Sequence, residues 1–362
     1  MRYLRRTAAL CAAAALTVGA VACSDDDSTA DTTTTALAPA PGVPGFGAPV
    51  EIARDLDVPW GLAFLPDGTA LVAERDSGRV LRVAEGRAPE PVYTVPEVAA
   101  RGEGGLLGLA VSPDHARDGY VYAYLTTDRD NRIVRFRLDG PPQPVFEGIA
   151  KASNHNGGRI AFGPDGLLYV GTGDAARTAS SQDPASPNGK ILRLTPDGAP
   201  APGNPTPGSP VYSLGHRNVQ GLAWDASGAL FAAEFGQNRL DEVNRVTAGA
   251  NYGWPEVEGG GGSDRGFTDP LLTWPTAQAS PSGIAIAGDT LYVAALRGER
   301  LWSAPRSGDG FGAPTALLDG AYGRLRTVAV APDGSLWVTT SNTDGRGEVR
   351  AGDDRVLRFP PR

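Results

Sequence analysis

Residues 159–174, RIAFGPDGLLYVGTGD, set two apolar runs on either side of a Pro-Asp-Gly turn. β-Branched and aromatic residues dominate both runs and no helical period links them, so they read as antiparallel strands. The layout, followed by a loop and a third strand, recurs five more times. The copies are WGLAFLPDG from Trp60, LGLAVSPDH from Leu107, VQGLAWDASG from Val219, SGIAIAGDT from Ser282 and TVAVAPDG from Thr327. Their turn positions Asp67, Asp114, Asp165, Asp225, Gly288 and Asp333 repeat at roughly the 40–60-residue spacing of propeller blades. No seventh copy is visible. An all-β, six-bladed β-propeller over residues 50–362 is expected, with an early strand near residues 50–56 closing the ring against the last repeat.

The chain ahead of the repeats has a different character. Arg2, Arg5 and Arg6 precede an apolar run, residues 8–22, that is short for a membrane span and fits an export signal. The run ends in AVAC before SDDDS, which resembles a bacterial lipoprotein site with Cys23 acylated. Ala20 stands where such sites favour Leu, so ordinary signal cleavage stays open. Residues 1–22 are thus a signal peptide, and residues 23–49, rich first in Asp and Thr and then in Ala, Pro and Gly, a flexible tether. The protein is expected outside the cytoplasm, in the periplasm or on the cell surface, touching a membrane only through a lipid anchor. Its two cysteines, Cys11 and Cys23, lie in or at the end of the leader, leaving the folded part without a disulfide. The formal charge of −8, more negative still without the leader's arginines, argues against a nucleic-acid partner.

In an up-and-down blade, the loop entering the first strand and the loop leaving the second lie on one face. The Pro-Asp-Gly turns lie on the other. The uncommon residues segregate accordingly. His155, one of three histidines, enters the first strand of the third repeat, and Gly157 and Gly158 let the backbone bend beside it. Arg217 and Asn218 enter the fourth repeat, and Arg324 and Arg326 the sixth. Asp174, the EFGQN loop and Arg297 follow second strands. Individually these are bland: Asp174 caps a turn, a strand-entrance arginine is solvated, and Tyr252 and Trp254 of NYGWP fill a blade gap. Gathered on one face, they describe a base near neutral pH, a carboxylate to orient it, and an anion-binding arginine rim. The stretch AEFGQNRLDEVNRVTAGANYGWPEVEG adds carbonyls and hard oxygen ligands suited to Ca²⁺.

Four segments, GEGGLLGLAVSPD, NHNGGRIAFGPDGLLYVGTGD, GHRNVQGLAW and DEVNRVTAGANYGWPEVEG, resemble the soluble PQQ-dependent aldose sugar dehydrogenases of the glucose/sorbosone dehydrogenase family. The resemblance runs in order across residues 58–359. It implies an enzyme binding pyrroloquinoline quinone (PQQ) and Ca²⁺ and oxidising aldoses at the anomeric carbon to the lactone, electrons passing to an unidentified acceptor. His155 matches the catalytic base, Asp174 the acid orienting it, and Arg217 and Asn218 the pair contacting the cofactor. The main-chain carbonyls of Gly236 and Gln237 match ligands of the cofactor's Ca²⁺, and Glu242 and Tyr252 those of a second, structural Ca²⁺. Arg297, Arg324 and Arg326 match positions holding the cofactor's carboxylates. Two positions depart from the pattern: Glu103 stands where a glutamine contacts the cofactor and substrate region, and Arg297 where lysine is frequent. A carboxylate at 103 requires protonation, an ion pair or an outward turn. The rival readings are a non-catalytic sugar- or protein-binding propeller and a Ca²⁺-dependent lactonase-type hydrolase.

Overall fold

The computed structural model describes residues 42–362. The leader, Cys23 and the tether as far as residue 41 lie outside them. Six antiparallel sheets follow one another along the chain, each beginning with its innermost strand. These inner strands are Pro59–Phe64, Leu106–Val111, Gly157–Phe162, Val219–Trp224, Pro281–Ala287 and Leu325–Val330. Each packs against the next, and the last against the first, so the six sheets are the blades of a β-propeller. In the sixth blade, Val50–Ala53 pairs antiparallel with Val356–Phe359, Val50 opposite Arg358, and closes the ring as expected.

The tether ends earlier than the sequence reading put it. Val43 and Phe46 are buried with Tyr292, Leu336 and Phe359, and the Gly47 amide donates to the Pro360 carbonyl at 2.7 Å. Two apolar side chains in a Pro/Gly-rich run are enough to hold residues 43–47 on the sixth blade. Each of the first five blades also carries an outer strand that the three-strand repeat omitted. These edge strands are half-solvated, as in Glu90–Thr94 and Gln143–Ile149, and lack the apolar run that marks the inner ones.

The inner strands share a register. Gly61, Gly108, Gly221 and Gly283 occupy the position before the first core-facing aliphatic, and Arg159 and Thr327 fill it in the third and sixth blades. A Cβ on Gly61 would lie 2.5 Å from the Leu107 carbonyl oxygen, and one on Gly108 2.2 Å from that of Gly158. Backbones of neighbouring blades therefore touch here. The two larger residues meet across the channel: Arg159 Nη2 donates to Thr327 Oγ1 at 3.1 Å and its Nε to the Gln220 carbonyl at 2.7 Å. Trp60 lies under the guanidinium, 4.4 Å from ring centroid to Cζ. Every inner strand also has a register shift at its first residues, which re-aims the side chains there. The Pro-Asp-Gly aspartates hold their turns, Asp67 accepting from the Thr69 amide and Asp333 from that of Ser335, and Asp165 and Asp333 also pair with Arg193 and Arg358 of neighbouring strands.

Gly108→Ala is expected to lower stability by about 2–3 kcal/mol through overpacking. Gly260→Ala, where a Cβ meets nothing closer than 3.9 Å, is expected to leave it within about 0.5 kcal/mol. Denaturant unfolding of the two variants checks this.

Candidate active site

His155 sits at φ 56°, in the left-handed region, two residues before the third inner strand. Gly157 and Gly158 follow at φ 65° and 110°, and a Cβ on Gly157 would lie 2.5 Å from the Thr172 backbone. The glycines thus let the loop fold against the second strand and bring the imidazole to residue 174. There His155 Nδ1 meets Asp174 Oδ1 at 2.8 Å. The carboxylate also accepts from the Ala176 amide at 2.8 Å and the Trp254 indole at 2.9 Å. Its side chain is fully buried. Burial raises its proton affinity, but the hydrogen bonds from His155, Trp254 and Ala176 outweigh that and hold the carboxyl below its ordinary range. An ionised Asp174 is acceptor-only, so Nδ1 carries the hydrogen and Nε2 is the acceptor. Arg217 Nη2 donates to Nε2 at 2.8 Å.

Arg217 is held from three sides. Its amide donates to Glu234 Oε2 at 2.6 Å, its Nη1 to the Phe235 carbonyl at 3.1 Å, and its guanidinium lies over Trp254. Asn218 Oδ1 accepts from the Gly157 amide at 2.9 Å, tying the fourth blade's entry loop to the third's. Among the described residues, buried Arg217 Nε, Asn218 Nδ2 and Arg326 Nε have no hydrogen-bond partner, so the site retains donors for a ligand.

Beside this group opens a cavity of about 330 Å³, at the small end of ligand-pocket sizes. The expected Glu103, Arg297, Arg324 and Arg326 all line it, with Arg75, Asp344 and Arg346, which the sequence reading passed over. Arg297 is exposed, whereas Arg324 and Arg326 are buried and share Asp344 Oδ2, at 2.9 and 3.4 Å. Burial, with Arg75 and Arg324 nearby, pulls Arg326 down to about 9 despite Asp344. Asp344 is itself pushed up by burial and, more strongly, down by Arg326 and Arg324. Five arginines and two carboxylates line it; Arg75 is also held by Asp76 through two hydrogen bonds, which leaves a surplus of two positive charges. Glu103 is neither bare nor turned away: its Oε1 pairs with Arg346 at 2.9 Å and its Oε2 accepts from the His155 amide at 2.9 Å.

The metal-binding expectations fall in the fourth blade. The Gly236 and Gln237 carbonyls accept no hydrogen bond among the described residues. Their loop is shaped by Glu258, whose Oε1 accepts from the amides of Gln237, Asn238, Arg239 and Leu240 at 2.7–3.2 Å. Gly236, Glu242 and Tyr252 meet around a cavity of about 10 Å³, which Arg217 and Glu234 also line. Burial and the facing Glu234 push the Glu242 carboxyl up. Among the described residues no cluster of three or more His, Cys, Asp or Glu side chains is arranged to hold a metal, so a cation here needs main-chain oxygens.

Trp254 and Glu258 reach the site by a route that blade topology does not give. They lie between the third and fourth strands of their blade, a connection that belongs on the opposite face. Residues 247–271 instead climb along the third blade, where Asn251 bridges Leu214 in parallel. NYGWP fills a blade gap, as expected, and also delivers an indole hydrogen bond to Asp174.

The chain matches the Glucose / Sorbosone dehydrogenase family over residues 56–350 and belongs to this family of oxidoreductases. The PQQ-bound aldose sugar dehydrogenase from Streptomyces coelicolor is 55% identical and superposes with a TM-score of 0.84, the match covering 89% of this chain and 99% of that one. Aldose sugar dehydrogenase YliI from Escherichia coli (strain K12) is 30% identical over 344 residues, 82% of this chain and 91% of the relative. Quinoprotein glucose dehydrogenase B from Acinetobacter calcoaceticus is 34% identical over 249 residues, 58% of this chain; the match spans 52% of that relative's length.

Glu258→Ala is expected to speed amide exchange across residues 237–240 about ten-fold or more, because four amides lose their shared acceptor. Burial raises the Glu258 carboxyl, but the four amides lower it further, below the ordinary glutamate value. In the parent protein the loop's protection is therefore complete above that value and lost as pH falls through the lower, folded-state one. Hydrogen exchange read at residues 237–240 between pH 3 and 7 checks both.

Proposed function

We propose that the protein is an exported, PQQ- and Ca²⁺-dependent aldose sugar dehydrogenase that oxidises the anomeric carbon to the lactone. The observation that carries this reading is the Asp174–His155–Arg217 chain beside a cavity with a surplus of positive charge. PQQ is a planar tricarboxylate, so its negative charge complements that surplus, and the unpartnered Arg217 Nε, Asn218 Nδ2 and Arg326 Nε suit its oxygens. Arg297, Arg324 and Arg326 would hold its carboxylates, and Arg217 and Asn218 would contact the ring system. The Gly236 and Gln237 carbonyls suit a hard cation beside it, and Glu242 and Tyr252 a second, structural Ca²⁺. When bound, the pair supplies a two-electron acceptor and Lewis acidity for the hydride that leaves the sugar.

The chain's own residues do the remaining work. Once the sugar hydroxyl takes the place of Arg217 Nη2 on the imidazole, His155 Nε2 takes the proton of the anomeric hydroxyl as C1 loses hydride, so the C–O bond becomes the lactone carbonyl. Asp174 holds the tautomer that leaves Nε2 able to accept and stabilises the imidazolium that forms. Arg217 fixes a cation at the same point, in a site sheltered from bulk water where charge acts strongly. The electron acceptor is a separate partner, and the leader with Cys23 supports a periplasmic or surface location. A non-catalytic binding propeller has no need of a carboxylate-oriented imidazole, and a Ca²⁺-dependent lactonase needs channel carboxylates on its metal, where the charged lining of this cavity is mostly arginine.

With PQQ, Ca²⁺ and a panel of aldoses, the purified protein is expected to reduce an artificial dye. Absence of cofactor-dependent reduction across the panel sinks the enzyme reading. His155→Ala is expected to bind PQQ but turn over about 10²–10⁴-fold more slowly; unchanged turnover removes its assigned role. Removing Ca²⁺ is expected to lower the melting temperature, with recovery on adding it back.

A further inference from the structure

Glu103 brings a negative charge into a cavity that the proposed function fills with a tricarboxylate. Its side chain is 15% exposed, and each oxygen has a defined task. Oε2 accepts the amide of His155, and Oε1 pairs with Arg346 Nη1. The Glu103 amide donates to the Ser153 carbonyl at 2.8 Å, and a Cβ on Gly102 would lie 2.1 Å from that same oxygen. The second blade's entry loop is thus pressed directly against the loop that presents the histidine.

Arg346 arrives from elsewhere. It follows the second strand of the sixth blade, and the whole first blade lies between it and Glu103 in the ring. Its amide donates to Asp344 Oδ1 at 2.9 Å, and Asp344 Oδ2 holds Arg324 and Arg326. One continuous path therefore runs from the amide of His155 through Glu103, Arg346 and Asp344 to the buried arginines.

We infer that Glu103 is a positioning residue for His155, and that Arg346 is the counter-ion that makes a carboxylate compatible with a polycarboxylate ligand at this place. This rests on the proposed function. Glu103 anchors the backbone of a base held at φ 56°, where a non-glycine residue needs its surroundings to keep it. Arg346 cancels the charge that this anchoring introduces. Without Arg346 the positive surplus falls by one and Glu103 faces the ligand unneutralised; without both charges it is unchanged. Glutamine at 103 keeps an acceptor for the His155 amide and drops the charge, whereas alanine drops both.

The test is equilibrium binding of PQQ to the apo-protein, read by tryptophan quenching, alongside steady-state kinetics, for variants whose melts match the parent. Arg346→Gln is expected to weaken PQQ binding about ten-fold, and Glu103→Gln/Arg346→Gln to restore it to within about three-fold of the parent. Glu103→Gln alone is expected to bind within about three-fold of the parent and keep kcat, while Glu103→Ala keeps PQQ affinity and loses kcat about ten-fold. Equal affinity of Arg346→Gln and the double variant, or equal kcat of Glu103→Gln and Glu103→Ala, overturns the inference. Parent protein that fails to bind PQQ overturns the functional reading and the pair with it; parent that binds while the cycle shows no coupling overturns the pair alone.

Discussion

Close approach of six inner strands is the constraint on which the rest of the structure depends. Glycine at the narrowest level of the first, second, fourth and fifth blades lets backbones meet within a distance that no Cβ tolerates. Where the ring admits side chains, in the third and sixth blades, it admits Arg159 and Thr327, and they join across the channel. A ring this tight brings the loops that enter all six strands to one small opening. Residues separated by more than 200 positions, such as Glu103 and Arg346, then meet at hydrogen-bond distance. The bulge at the start of every inner strand turns their side chains toward that opening.

Electrostatics at the opening follows from burial. Arg159 and Arg326 lie in the channel, and desolvation draws both down to about 9. Asp344 offsets part of the charge by serving two arginines at once, and Glu103 offsets another part while fixing the histidine loop. The balance stays positive in a protein that is acidic overall. A concave, cationic, partly dry surface of this kind concentrates field on a polyanion of matching charge. Beside it, the buried Asp174 does for the imidazole what the arginines do for the anion: it sets one proton position and one orientation before any ligand arrives. Preorganisation of both halves, cation surplus and oriented base, is the physical content of the active-site reading.

How much of this was legible depended on the signal each residue left. Blade number and ring closure were readable because apolar runs and Pro-Asp-Gly turns recur at a fixed period. His155, Asp174, Arg217 and the arginine rim were readable because topology assigns loops to faces without any knowledge of side-chain geometry. Outer strands were missed because half-solvated edges carry no apolar run. Val43 and Phe46 were hidden in a composition that otherwise favours disorder. Trp254 and Glu258 reach the site only because residues 247–271 run against the up-and-down order, which no local pattern announces. Glu103 was visible as an anomaly, but its resolution lay in Arg346, a residue in a Gly-rich loop with nothing in the sequence to pair it across a blade.

The central claim is that the cavity's surplus of positive charge, rather than shape alone, selects the cofactor. Parallel equilibrium titrations of the apo-protein with PQQ and with its trimethyl ester, at fixed Ca²⁺ and ionic strength, test this most directly. The account predicts stoichiometric binding of the tricarboxylate and loss of most of that affinity for the ester, with the difference shrinking as salt is raised. Equal binding of the two compounds, or binding of neither, contradicts it.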